Sequence, residues 1–190
     1  MIYHLSLQTA GYIAGLFQLL YGFWGLIRPE ASQAAARSLP RSRVAGFVLF
    51  TIAFFWTFWL VGGKQDGRWV MEMGEFGGFR IPLLIILPIG FLCVLRFVDE
   101  FLAARALGIL FLLAAEPLLD AAFFRSERSR LLVTVFAYLL IVAGLFWVTM
   151  PYLLRDQIHW SSRTNGRWRI ANAFAFLYGA AILTCAVTRY

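Results

Sequence analysis

The feature that most restricts the fold is a series of long apolar segments without a single Asp, Glu, Lys or Arg. A helix needs roughly 20 largely apolar residues to cross about 30 Å of hydrocarbon. Five segments approach or exceed that length: 1–27, 44–63, 81–95, 131–154 and 170–188. An ordinary soluble domain is excluded, because only 14% of the 190 residues are charged, against roughly 25% in soluble proteins.

A sixth segment, 101–124, is apolar apart from Arg105, Glu116 and Asp120. Arg105 lies near its start and can extend its charge to the interface. We therefore predict an all-α polytopic membrane protein, a single integral domain 1–190 with about six transmembrane helices arranged as three helix hairpins. The predicted spans are 5–27, 44–63, 81–97, 101–124, 131–154 and 170–188. Five spans is the alternative, with the short, proline-containing third segment re-entrant.

The distribution of basic residues predicts the orientation. Ten of the 17 lie in the first, third and fifth connections or at the span ends beside them, and all but Arg105 lie at the ends of apolar runs or between them. The positive-inside rule therefore predicts that these connections are cytoplasmic and that both termini are outside, in a cell membrane such as the bacterial inner membrane. This placement favours lipid headgroups over nucleic acid as the partner of the net charge of +7.

Two connections share the pattern R-x-x-x-R-x-R-[VI]-A-x-x-x-x-F, which begins at Arg37 and again at Arg163. A weaker copy begins at Arg105, which suggests an internal repeat of three hairpins. The positive-inside rule alone also places arginine at these helix starts, so both explanations stay open. We expect these side chains to bind anionic lipid or phosphate. The pattern's arginines are Arg37, Arg41, Arg43, Arg163, Arg167 and Arg169.

The acids of the fourth span are the chemical anomaly of the chain. Glu116 and Asp120 are four residues apart and share one helix face. Pro117 lies between them and frees the carbonyl of Leu113. Oxygen-rich sites of this kind suit a proton or a cation, so this pair is a candidate ion site. Arg105 lies roughly 16 Å away along the helix and does not reach it.

A structural role for the two acids is the alternative. Asp120 lies close to the end of the span, where Arg125, Arg128 and Arg130 can pair with it. Buried ions are commonly paired in this way, and such a pair would fix the fourth helix against its neighbours.

The remaining motifs indicate no cofactor. Neither His4 nor His159 lies in the middle of a span, so a bis-histidine haem is not expected. His4 is a remote candidate for a metal site with the two acids. The glycine-rich connection 62–80 suggests an interfacial loop or a lid over the outer mouth of the bundle.

These observations favour a non-enzymatic membrane component that assembles with itself or with partner subunits. A small transporter or channel that uses Glu116 and Asp120 is the alternative. An enzyme acting on lipid headgroups at the arginines is less favoured.

Overall fold

The computed structural model describes residues 3, 5–65, 68–97, 101–123 and 127–189, without the side chains of residues 65 and 68. It confirms an all-α polytopic membrane protein with six helices long and apolar enough to cross a membrane. The helices of the described residues are α1 (Leu7–Ile27), α2 (Pro29–Ser38), α3 (Arg43–Gly62), α4 (Arg80–Phe97), α5 (Leu102–Ala122), α6 (Arg130–Thr149), α7 (Tyr152–Ser161) and α8 (Asn165–Thr188). A hairpin of β1 (Lys64–Gln65) and β2 (Arg68–Trp69) follows α3.

Three of the membrane helices begin at a hydroxyl side chain that caps them. Ser6 accepts a hydrogen bond from the backbone N–H of Thr9, and Ser42 accepts one from Ala45, each at 3.1 Å. Thr164 caps α8 in the same way. Each cap satisfies a backbone donor that the first helical turn leaves without a partner.

Two tightly packed helix pairs form the frame of the bundle. Helix α1 packs along α8 and helix α5 along α6, and each pair crosses at facing glycines. A Cβ added at Gly179 would lie 2.8 Å from the carbonyl oxygen of Gly15, and one at Gly144 would lie 2.8 Å from that of Gly108. Small residues let the backbones of membrane helices approach this closely.

These pairs differ from the predicted hairpins, which are hairpins only in the way the chain connects them. The first span packs mainly on the sixth, and the second span packs on the fourth and, less extensively, on the third. The physical reason is that complementary small-residue faces, and not proximity along the chain, decide which membrane helices meet. The internal repeat stays a prediction.

The two pairs meet at one end of the bundle and diverge at the other. The buried core that joins them uses Leu7 and Ala10 of α1, Ala121 of α5, Val133 of α6 and Ile182 of α8. We call this the terminal end, because the first turn of α1 and the last turns of α8 lie there. The opposite, basic end carries residues 28–42 and 150–164, together with the helix ends at Leu95 and Leu102.

Two short helices at the basic end were not predicted. Helix α6 ends within the predicted span 131–154, because it stops at Thr149 and the chain turns at Pro151 into α7. Helix α2 begins with Pro29, whose missing N–H is not needed in a first turn. Helices α2 and α7 contact each other and α8, so the first and fifth connections are structured parts of the bundle.

The third span is a complete helix at the edge of the bundle. Helix α4 continues through Pro88, and with the 3-10 helix Gly74–Phe79 before it forms one candidate span, Gly74–Phe97. It packs on α3, where the ring of Phe91 stacks on that of Phe54 at 4.3 Å. The six-span prediction therefore holds over the five-span alternative.

A buried arginine holds the second connection against the end of α3. Arg80 is 6% exposed and donates to the carbonyls of Val61 and Met71 at 2.6 Å each. Its guanidinium lies 4.3 Å from the ring centre of Trp69 in β2. None of the connection's described residues lines the groove that holds Glu116 and Asp120. This part of the connection packs on α3 and does not cover that groove.

We expect Gly144→Ala to lower the free energy of unfolding by about 1–3 kcal/mol, because the added methyl group meets the Gly108 carbonyl at the α5–α6 crossing. Gly90→Ala is the matched control. A Cβ there has no neighbour within 4 Å, so we expect no loss of stability. Unfolding by SDS titration in mixed micelles measures both variants. Equal stabilities would contradict the proposed role of the glycine crossing.

Candidate functional site

A large apolar cavity occupies the space where the two helix pairs diverge. Its volume is about 690 Å³. The C-terminal half of α1, the N-terminal half of α5 and the ends of α6 and α8 form its walls. Its aromatic lining is Phe17, Tyr21, Trp24, Phe111, Trp147, Trp160 and Trp168. Cavities of roughly 300–1,000 Å³ with such lining are typical of small-molecule sites.

Helices α2 and α7 form a roof over this cavity. The residues of α2 that line it are Ser32, Ala35 and Ala36, with Leu39 directly after the helix. Those of α7 are Leu154, Gln157, Ile158 and Ser161, together with Trp160. The set around α2 and the α7 set apart from Trp160 each follow the spacing i, i+3, i+4, i+7, which places them on one face of a helix. Each roof helix therefore turns one continuous stripe towards the cavity.

Side-chain hydrogen bonds fix the roof to the bundle. Arg37 donates from Nε to the hydroxyl of Ser162 at 2.8 Å and from Nη2 to the Ser162 carbonyl. Gln33 donates to the side-chain oxygen of Asn165 at 3.0 Å. The indole N–H of Trp168 donates to Ser32 at 2.9 Å. These bonds join α2 to the α7–α8 turn and to α8 itself.

Five of the polar side chains that line the cavity already have hydrogen-bond partners. The Ser32 hydroxyl donates to the Pro29 carbonyl at 3.0 Å while it accepts from Trp168. The side-chain oxygen of Gln157 accepts from the indole N–H of Trp147 at 3.0 Å, and Ser161 donates to the carbonyl of Ile158. The cavity therefore presents mainly hydrocarbon and aromatic surface.

A buried asparagine fixes the distance between α1 and α8 beside the roof. Asn172 is 2% exposed and donates to the carbonyl of Trp168 at 2.8 Å. Its side chain fills the space next to Gly25, where a Cβ would overlap it. Its Oδ1 has no hydrogen-bond partner among the described residues.

The outer face of the roof forms a second, basic cavity of about 430 Å³. It brings together Arg37 and Arg41, which were predicted as phosphate or lipid ligands, with Arg155 and His159 of α7. Asp156 also lines it and pairs with Arg155 at 2.9 Å.

The other predicted arginines lie outside this basic cavity. Arg43 lines a separate cavity of about 230 Å³ together with Arg41. The guanidinium of Arg167 lies 4.9 Å from the ring centre of Trp160. Arg163 and Arg169 are exposed. The structure therefore groups two of the six predicted arginines with two α7 residues that the sequence pattern did not select.

Glu116 has partners that the sequence did not reveal. The indole N–H of Trp56, in α3, donates to the hydroxyl of Tyr3 at 2.7 Å, and that hydroxyl interacts with the Glu116 carboxyl. The ring of Tyr3 also packs on that of Trp59 at 5.9 Å. Aromatic residues at the terminal end thus connect Glu116 to α3 and to the residues before α1.

Glu116 and Asp120 share an open groove of about 470 Å³ at the terminal end. The two carboxyls are close enough for their charges to interact. Pro117 is buried, and neither it nor Leu113 lines the groove, so the freed carbonyl is not part of it. Arg105 is exposed near the start of α5. This exposure agrees with the expectation that its side chain extends to the membrane interface.

The structure describes two of the three arginines that were predicted as alternative partners of Asp120. Arg130 donates to the backbone carbonyl of Ala122 at 3.3 Å. Among the described residues, neither Arg128 nor Arg130 forms an ion pair with Asp120. Arg125 and His4 lie outside the described residues.

Comparisons with protein-family models, curated proteins and solved structures found no match for this chain.

We expect the Tyr3 hydroxyl to titrate above the ordinary tyrosine value of 10.0. Burial raises its pKa most, and the nearby Glu116 charge raises it further, although the hydrogen bond from Trp56 lowers it. Tyr3 therefore keeps its proton at neutral pH. The difference between the alkaline absorbance titrations of the wild type and of Tyr3→Phe isolates the Tyr3 hydroxyl. We expect Glu116→Gln to lower the pKa of the Tyr3 hydroxyl, and we expect Asp120→Asn, the control, to leave it unchanged. Equal titrations of these two variants would contradict the contact between Tyr3 and Glu116.

Proposed function

We propose that this protein is a non-enzymatic membrane component that holds the hydrocarbon part of a membrane amphiphile in the cavity beneath α2 and α7. The observation that supports this function is the 690 Å³ cavity, whose walls are mainly aromatic and aliphatic. The proposal concerns binding and requires no chemical step.

The surroundings of the cavity favour a lipid chain as its occupant. Phe17, Tyr21 and Trp24 line the cavity and are also about half exposed on α1. They belong to a membrane-spanning helix, so the surface next to them faces lipid. An acyl or isoprenoid chain can thus enter sideways from the bilayer, and its transfer requires no passage through water.

The roof gives the bound amphiphile a defined orientation. The cavity is apolar and the outer face of α2 and α7 is basic, so a chain lies inside the bundle while its polar end lies towards the basic end. In our proposal this end faces the cytoplasm of a bacterial inner membrane, as the positive-inside rule indicates. Assembly with itself or with partner subunits stays part of the proposal.

We expect Ala36→Phe to reduce the lipid retained by the purified protein by about tenfold or more, because a phenyl ring on the roof stripe occupies the cavity. Ala34→Phe is the control, since Ala34 is exposed on the same helix and does not line the cavity. Native mass spectrometry from mild detergent counts bound lipids. Absence of lipid from the wild type, or equal retention by both variants, would refute the function.

A proton or cation pathway at the terminal end is the second candidate function. The observation that favours it is the open groove shared by Glu116 and Asp120, with the Tyr3 hydroxyl in contact with Glu116. Carboxyl and hydroxyl oxygens near the end of a membrane helix can bind or relay protons and cations.

For this second function we expect purified protein in liposomes to conduct protons or cations, and Glu116→Gln/Asp120→Asn to abolish the flux. The double variant removes both ionisable groups from the groove. Glu72→Gln/Glu75→Gln removes two exposed acids of the second connection and is the control. A wild type without flux, or a groove variant with unchanged flux, eliminates this candidate.

A further inference from the structure

The outer face of the roof carries a cluster of basic side chains around a cavity. Arg37 and Arg41 are four residues apart, as are Arg155 and His159, and the two sets line one cavity of about 430 Å³ from opposite sides. We call these four side chains the arginine notch. Three guanidinium groups face one carboxylate, that of Asp156, so the notch keeps a positive charge.

Arg37 is held in place before any ligand arrives. Its Nε and Nη2 donate to Ser162, which fixes the plane of the guanidinium. Its Nη1 has no hydrogen-bond partner in the described part of the chain. A guanidinium fixed in this way loses less conformational entropy when it binds an anion.

Arg155 is only partly neutralised by Asp156. Its Nε and Nη2 both contact a single carboxylate oxygen at 2.9 Å, and both side chains are about half exposed. An exposed pair of this kind is weak, so it does not compete strongly with a dianionic ligand. Arg41, from the other side of the cavity, is also exposed.

We propose that the arginine notch binds a phosphate group. Guanidinium groups bind phosphate oxygens through paired, charge-assisted hydrogen bonds, and a phosphate monoester offers three acceptor oxygens to donors that approach from α2 and α7 together. The notch lies just beyond the ends of α1 and α6, where lipid headgroups begin. The phosphate therefore belongs to a lipid headgroup or to a soluble phosphate compound.

This site lies on the outer face of the roof and shares one lining residue, Ile158, with the apolar cavity. It goes beyond the proposed function and is tested separately. Isothermal titration calorimetry with inorganic phosphate measures binding of a soluble source. Native mass spectrometry compares the binding of phosphatidic acid with that of diacylglycerol carrying the same acyl chains. The difference measures the contribution of the lipid phosphate, because the hydrocarbon part is identical.

The test variant is Arg41→Gln/Arg155→Gln, which keeps the contacts between Arg37 and Ser162 that hold the roof. Arg163→Gln/Arg169→Gln is the control, because it removes the same charge from exposed positions outside the notch. We expect at least about tenfold weaker phosphate or phosphatidic acid binding in the test variant. We expect the control to bind like the wild type.

Preference for phosphatidic acid without inorganic phosphate binding supports the lipid source, and binding of inorganic phosphate supports the soluble one. Equal losses in both double variants, or neither probe binding to the wild type, overturn the proposal. Ala36→Phe separates the two sites: if it loses its bound lipid chain and still binds inorganic phosphate, the notch acts independently of the cavity.

Discussion

Close backbone contact between membrane helices is the interaction on which this structure depends. Gly15 meets Gly179 and Gly108 meets Gly144, each with a carbonyl oxygen where a side chain would otherwise lie. Lipid tails are as apolar as the helix surfaces, so apolar character does not select partners; the fit of small residues does. The α1–α8 and α5–α6 pairs follow from this fit, and the large apolar cavity lies between them.

The angle between the two pairs creates the candidate binding site. At the terminal end alanines such as Ala10, Ala121 and Ala137 allow the four helices to meet in one core. Towards the basic end the facing positions carry Phe17, Trp24 and other large side chains, and the pairs separate. The walls of this gap are apolar. Helices α2 and α7 close it on one side.

The two candidate activities use opposite ends of the same frame. The roof and the arginine notch lie at the basic end, where α2 and α7 join both helix pairs. The Glu116 groove lies at the terminal end, where Tyr3 and Trp56 approach α5. Helix α5 takes part in both, with Leu107 and Phe111 in the cavity and Glu116 in the groove.

Local patterns predicted what depends on local spacing. The i, i+4 relation of Glu116 and Asp120 places them in one groove, because helix geometry alone sets that distance. The amphipathic α2 was detectable from Pro29 at its first position, Glu30 in its first turn and Arg37 in its last. The contacts of Tyr3 with Glu116 and of Arg37 with Ser162 were not detectable, since each joins residues more than 100 positions apart.

The sequence by itself determined that this chain is a six-span membrane protein and which of its spans contains charged residues. Hydropathy decides this, because an unpaired charge or a backbone without internal hydrogen bonds is highly unfavourable in hydrocarbon. The free energy involved is far larger than that of any local conformational preference. Only the tertiary structure decided which spans pair, that two connections form a roof, and that Arg37 and Arg41 join Arg155 and His159. Those outcomes depend on the fit of surfaces brought together from distant parts of the chain, and this fit leaves no periodic trace in the sequence.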